Sequence, residues 1–281
     1  MKVHLTIVGF RAALDDARRR GGVIGLVPTM GYLHDGHRSL MGAAVAGNDS
    51  AALTIFVNPL QFAPTEDLST YPRDLEGDLA MARAAGVAHV FTPAVTEMYP
   101  EPIMTSVSVS GVSSSLEGSF RPTHFAGVAT VVAKLFSIAG PCRAYFGEKD
   151  FQQLAVVRTM VRDLSIAVDV IGCPTVREHD DLAMSSRNAR LSAEERAAAP
   201  VLHRALRAGR NAIERGERDP AKVRAVMHSV VSGEPLARLD YAEVVDAATF
   251  NVPDRLVGEL RLLIAASFAK ARLIDNIGAH A

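Results

Sequence analysis

VIGLVPTMGYLHDGH, residues 23–37, decides how the rest of the chain is read. VIGLVP is a short, continuous apolar run, the pattern of a strand buried on both faces. A polar, glycine-containing loop follows at 29–33, and HDGH then opens a helix predicted over 37–47. Such strand–loop–helix units build parallel sheets, and ligands of these sheets gather at the carboxyl ends of the strands. HxGH is expected by chance only about 0.02 times in a chain of 281 residues with 9 histidines and 21 glycines. A helix N-terminus presents unpaired N–H groups and positive potential to phosphate. Gly36 keeps a side chain away from an approaching nucleotide, and His34 and His37, three residues apart, can both donate to phosphate oxygens.

The same alternation continues outward. Strands are predicted at 51–57, 87–91, 143–146 and 168–172, with helices at 73–85, 126–139 and 150–164. An alternating stretch at 105–109 reads as an edge strand. The expected fold class is therefore α/β, a doubly wound parallel sheet. From about Pro174 the pattern changes. Residues 192–232 read as helical with a break at 216–220, followed by strands at 239–245 and 260–268 and a short one at 272–274. This predicts two domains, 1–173 and a smaller α+β domain at 174–281. Arg18, Arg19 and Arg20 before Gly21 and Gly22 read as cations at a helix C-terminus with a glycine cap.

Composition narrows the function. Hydrophobic residues make up 48%, enough for a sizeable core, and 30 basic residues nearly balance 31 acidic ones. No global field attracts nucleic acid or an anionic membrane, so any anion site must be local. Cys142 and Cys173 form no metal-ligand or CxxC spacing. The N-terminus lacks a cleavage pattern, and no apolar stretch is long enough to cross a bilayer. These features point to a reduced cytoplasmic protein without a membrane or nucleic-acid partner. Neither GxxxxGK[ST] nor GxGxxG occurs, which argues against a P-loop kinase and a dinucleotide enzyme.

Further polar residues cluster at predicted strand and helix ends. Met184, Ser185, Ser186, Arg187 and Asn188 combine hydroxyls and a guanidinium, a set suited to polyphosphate. Gly147, Glu148, Lys149 and Asp150 follow a strand. Asp150 with Gln153 reads as a capping box, and Lys149 is a point charge at a ligand-binding edge. Gln61, near Asn58 in NPLQF (58–62), is a polar amide in an apolar setting and needs a partner.

VPTMGYLHDGH (27–37), TIFVNPLQFAPTEDLSTYPRDLE (54–76), LEGSFRPTHFAGVATVVAKLF (116–136), AYFGEKDFQQL (144–154), PTVREHDDLAMSSRN (174–188) and RLIDN (272–276) together resemble the pantothenate synthetase family of HxGH nucleotidylyl transferases. The resemblance implies a Rossmann-like domain, a smaller C-terminal domain covering the active site, and a homodimer. It implies condensation of pantoate with β-alanine using Mg²⁺ and ATP, through a pantoyl adenylate. By the same resemblance Met30, Gly31, His34, Gly36 and His37 would hold ATP, with His37 donating a proton. Gly147, Glu148, Lys149, Asp150, Val176, Met184, Ser185, Ser186 and Arg187 would complete the nucleotide site. Gln61 and Gln153 would grip pantoate, Asn58 and Arg121 would lie near the substrates, and Asp78 would stand near Mg²⁺ through water. The chain departs from the family pattern at Asp181, usually glycine, at Tyr32, usually small, at Arg38, usually aliphatic, and at Cys142, usually aspartate. Two rivals share part of the pattern. A transferase acting on a phosphate ester would need cations where Gln61 and Gln153 stand, and a non-catalytic nucleotide sensor would have no use for both His37 and Lys149.

Overall fold

The computed structural model describes every residue except 64–67, 69, 70 and 270. Part of the 54–76 stretch therefore lies outside the described residues. The first unit comprises Met1–Glu148 and Gln152–Pro174. Its strands are β1 (Lys2–His4), β2 (Ile24–Thr29), β3 (Ser50–Ile55), β4 (His89–Phe91), β5 (Cys142–Gly147) and β6 (Val168–Cys173). They lie in the order β1-β4-β3-β2-β5-β6, all parallel. The helices are α1 (Ile7–Arg19), α2 (Asp35–Gly47), α3 (Leu75–Ala84), α4 (Val95–Met98), α5 (Glu117–Phe120), α6 (His124–Ala139) and α7 (Phe151–Asp163), the last beginning at the unit's edge.

Strand sequence explains position. Ile24, Leu26 and Val27 of β2 and Ala52 and Leu53 of β3 are fully or almost fully buried, as central strands covered on both faces must be. Helix α2 lays Leu40, Met41 and Ala44 on this sheet. Helix α1 starts at Thr6, whose hydroxyl accepts from the Gly9 amide, and ends at Arg19, with Gly21 at φ 84°. The glycine-capped helix end expected there is observed.

Two expectations fail. Residues 105–109 form no strand: the Val107 amide donates to Thr130 Oγ1 on α6 at 2.9 Å, and the sheet edges are β1 and β6. The strand expected to be short at 272–274 instead runs from Arg272 to His280.

The second unit comprises Lys149–Phe151 and Thr175–Ala281. It contains α8 (Ala193–Ala198), α9 (Val201–Glu214) and α10 (Pro220–Ser232), with an antiparallel sheet β7 (Arg238–Asp246), β8 (Glu259–Ser267) and β9 (Arg272–His280). Strand β9 pairs with β8 along its whole length because Leu273, Ile277 and Ala279 complete the core under α9 and α10. Leu202, Leu206, Met227, Leu262 and Ile264 are fully or almost fully buried there.

Candidate active site

In the first unit the chain leaves β2 for β3 and β4 on one side and returns to β5 on the other. The loops after β2, β3 and β5 thus flank the point where strand order reverses, where such sheets bind ligands.

The loop after β2 is held in an unusual shape. Gly31 and Tyr32 are both left-handed, at φ 84° and 53°. A side chain on Gly31 would stand 2.8 Å from Asp78 Oδ2, so only glycine fits. Asp78, buried on α3, accepts from the amides of Tyr32 at 2.9 Å and Leu33 at 2.7 Å. Burial raises its pKa above the ordinary carboxylate value, partly countered by those two bonds. Asp78 is thus first a brace for the 30–33 loop.

Helix α2 begins one residue after His34 with a reciprocal cap. The Gly36 amide donates to His34 Nδ1 at 3.2 Å, and the His34 amide donates to His37 Nδ1 at 3.3 Å. The two rings stand 4.1 Å apart. A ring nitrogen that accepts is unprotonated, so each neutral imidazole carries its proton on Nε2. Both histidines are set as Nε2–H donors at a helix N-terminus. Arg38 next to them is exposed and paired with Asp35 at 3.5 Å.

The segment after β3 is a 3-10 turn, Pro59–Gln61, capped by Asn58. Asn58 Oδ1 accepts from the Leu60 amide and from the Tyr99 hydroxyl, while its Nδ2 donates to the Gly127 carbonyl at 3.1 Å and to Gln61 Oε1 at 3.3 Å. Burial pushes the Tyr99 pKa up to about 12, so its hydroxyl stays a donor. With Gln61 Oε1 occupied by Asn58, the Gln61 NH₂ donates to Met30 Sδ at 2.9 Å. Gly127 lets α6 approach closely; a Cβ there would stand 2.2 Å from the Leu60 carbonyl oxygen. Arg121 and His124 both contact the Gln61 carbonyl. Arg121 therefore steadies the turn, as Asn58 steadies the glutamine.

After β5, space opens where a Gly147 side chain would stand. Glu148, Lys149 and Asp150 form a 3-10 turn, and α7 starts at Phe151. The adjacent glutamines of α7 divide their roles. Gln152 is buried and fastened to Val112, Ser115 and Glu117. Gln153 is half-buried, and its amide engages none of the described residues.

In the second unit, 176–184 is a tight hairpin: the Met184 amide donates to the Val176 carbonyl, and Arg177 bridges to Ala183. Asp181 turns it at φ 71°, which explains why glycine suits that position. Ser185 caps the following turn, Ser186–Arg190, by accepting from the Arg187 amide. Glu178 and Asp180 pair with Arg196, and Asn188 donates to Glu178, so the loop is fixed from below. Arg187 is half-buried and makes no ion pair with a described residue. Lys149 stands 3.5 Å from Asp150.

Two bracing residues, Tyr99 and Arg196, stand outside every quoted stretch, and His124 lies within 116–136 without a role read for it.

The Pantoate-beta-alanine ligase family model matches residues 2–278. The chain belongs to the pantoate–β-alanine ligase family. It is 49% identical over 277 residues to the pantothenate synthetase of Acetivibrio thermocellus, covering 99% of each chain, and 52% identical to that of Chloroflexus aurantiacus, covering 98% of this chain and 97% of the relative. Its fold matches the crystal structure of pantothenate synthetase from Thermus thermophilus with a TM-score of 0.95, at 48% identity and full coverage of both chains. It also matches a pantoate–β-alanine ligase from Francisella tularensis complexed with beta-gamma ATP and β-alanine, with a TM-score of 0.82, at 32% identity and coverage of 99% and 97%. The expected α/β fold with a smaller C-terminal part is thereby borne out, and so is the family read from the six stretches.

Proposed function

We propose that the chain joins pantoate to β-alanine in two steps at the residues described above. In the first, a pantoate carboxylate oxygen attacks the α-phosphorus of ATP, the bond to the β-phosphate oxygen breaks, and pyrophosphate leaves. In the second, the β-alanine amine attacks the acyl carbon, loses a proton, and expels AMP. The observation that carries this reading is the reciprocal histidine cap. It sets two Nε2–H donors at a helix N-terminus, an arrangement that would suit developing phosphate charge. His34, His37, Lys149 and Arg187 would stabilise that charge, with His37 donating as pyrophosphate departs. Met30, Gly31, Gly36, Gly147, Glu148, Asp150, Val176, Met184, Ser185 and Ser186 would line the nucleotide. Gln61 and Gln153 suit pantoate because neutral amides orient it without locking its nucleophilic oxygen in an ion pair. Asn58 and Arg121 act by supporting Gln61.

No three histidine, cysteine or acidic side chains converge on one point among the described residues. By the family resemblance Mg²⁺ would be carried mainly by the phosphates, with Asp78 as a water-linked neighbour, where the ion would neutralise phosphate charge. A homodimer and a cytoplasmic location rest on the family resemblance.

The test is product analysis. With ATP, Mg²⁺, pantoate and β-alanine, AMP, pyrophosphate and pantothenate should form in equal amounts. ADP and inorganic phosphate would instead indicate an acyl phosphate and overturn the adenylate route.

A further inference from the structure

RLIDN (272–276) belongs to the stretches that carry the family resemblance, yet nothing above gives it a task. On β9 its last two residues are buried polar groups, Asp275 at 4% and Asn276 at 3% exposure. Buried polar side chains of this kind are retained only with partners. Those partners are specific.

Asn276 Nδ2 donates to the Lys149 carbonyl at 2.7 Å, and its Oδ1 accepts from Arg261 Nε at 2.6 Å. The amide is thereby fixed in one orientation. The Arg261 guanidinium also lies over the Phe151 ring, 4.1 Å from its centre, and Phe151 stacks on Phe250. The three-residue segment around Lys149 is thus clamped at both ends to the β8–β9 sheet. Asp275 in turn accepts both arms of Arg177, at 2.7 and 2.9 Å, and the Asn276 amide at 2.7 Å. Burial alone would raise the Asp275 pKa, but the paired bonds from Arg177, with His203 Nδ1 3.7 Å away, outweigh it and keep the carboxyl ionised. Arg177 also donates to the Asp181 carbonyl, which ties the hairpin leading to Ser185–Arg187 to the same strand.

We propose that Asn276 is a positioning residue for adenylation: it holds the Lys149 backbone so that the ammonium group meets the phosphates at the correct reach. Lysine has four rotatable side-chain bonds and is a mobile point charge. Beside the contact of its ammonium with Asp150 at 3.5 Å, fixing its main chain is a second way this fold restricts it. A displacement of about 1 Å at such a group can lower a rate by roughly 10²-fold. This inference rests on the assignment of Lys149 to the phosphates.

The experiment measures pyrophosphate release with MgATP and pantoate, β-alanine omitted, in Asn276→Ala, Lys149→Ala and the double variant. Asn276→Ala should slow release roughly ten- to a hundred-fold, with the pantoate KM within about twofold of the unaltered enzyme. The double variant should be no slower than Lys149→Ala, because the asparagine acts only through the lysine. Arg261→Met, which frees the Asn276 amide at a partly exposed site, should slow release in the same way but less; it decides the matter should Asn276→Ala not fold. A folded Asn276→Ala at full rate, or a loss that adds to that of Lys149→Ala, would overturn the inference while leaving the function intact. Lys149→Ala at full rate would overturn the lysine's assignment and the inference with it, and absence of pyrophosphate from the unaltered enzyme would instead sink the functional reading.

Discussion

The Gln61 side chain illustrates how single residues set chemistry here. Its orientation is not a free choice, because Asn58 is itself fixed by the Leu60 amide, the Gly127 carbonyl and the Tyr99 hydroxyl. If Gln61 takes pantoate as proposed, the group it has to offer is its NH₂, and a hydroxyl or carboxylate oxygen of pantoate would accept. Gln61→Glu keeps the shape but replaces that donor with an anion facing an anionic substrate. Pantoate use should fall by a factor on the order of 10² or more, since a lost hydrogen bond to a charged group costs about 1.5–3 kcal/mol before repulsion is added. ATP binding, followed by titration calorimetry, should change little. An unaltered pantoate KM and rate would show that the glutamine serves only the fold. Asp181 is a second case. Its carboxylate is half exposed and answered by Arg207 at 3.7 Å, a pair worth little in water. Its burden is the left-handed backbone, so Asp181→Gly should stabilise the protein by roughly 0.5–1 kcal/mol. A lower urea midpoint would mean that the Arg207 pair outweighs the backbone gain. ATP binding should be equal or tighter in this variant.

Among the elements, β1 shows how pH enters the fold. It is three residues long, pairs only with β4, and brings His4 Nε2 within 3.2 Å of His89 Nδ1. One of these nitrogens donates and the other accepts, so the contact needs at least one neutral ring. Burial lowers the pKa of both histidines; the Lys2 charge adds to this at His4, and His4 and Lys2 add to it at His89. With the folded values below the unfolded value of about 6.5, the unfolded chain binds more protons as pH falls. Stability contributed here is complete above about pH 6.5 and is lost on acidification through the folded pKa values. His89→Gln should therefore flatten the decline of the urea midpoint between about pH 7 and 5; an unchanged slope would assign the decline to other groups. The same strand marks a limit of reading by pattern. Lys2–His4 is too short to show alternation, whereas 105–109 alternates well yet gives its amide to Thr130. Period alone does not say whether a neighbour is available to pair. The long apolar runs of β2, β3 and β5 were legible because a strand covered on both faces has no polar positions to confuse them. The HDGH helix start was legible too, but its reciprocal cap depends on ring orientation, which no spacing reveals. Likewise, Asp78 in its helix gives no hint that its two oxygens serve a loop 45 residues away.

For the whole molecule, order along the chain and membership in a core are different things. The change of pattern near Pro174 lies one residue from the point where the chain passes finally into the second unit, yet that unit also takes Lys149–Phe151. These three residues supply a ring stacked on Phe250, a surface for Arg261, and a carbonyl for Asn276. A fragment Thr175–Ala281 keeps the three-stranded sheet, its helices and a core that includes Leu202, Leu262 and Ile264, so it should fold. It should nevertheless be weaker than the same segment in the full chain. The missing aromatic pair is worth about 0.5–1.5 kcal/mol, the cation–π contact about 0.5–1, and the hydrogen bond about 0.5–1.5. The expected deficit is therefore roughly 1.5–4 kcal/mol, read as faster hydrogen exchange in β8 and β9 of the fragment. The loss should concentrate around Arg261 and Asn276, where the bond to Lys149 is missing. Equal protection in fragment and full chain would mean that the Lys149–Phe151 segment is a passenger on this sheet, and that a cut at Pro174 divides the molecule cleanly.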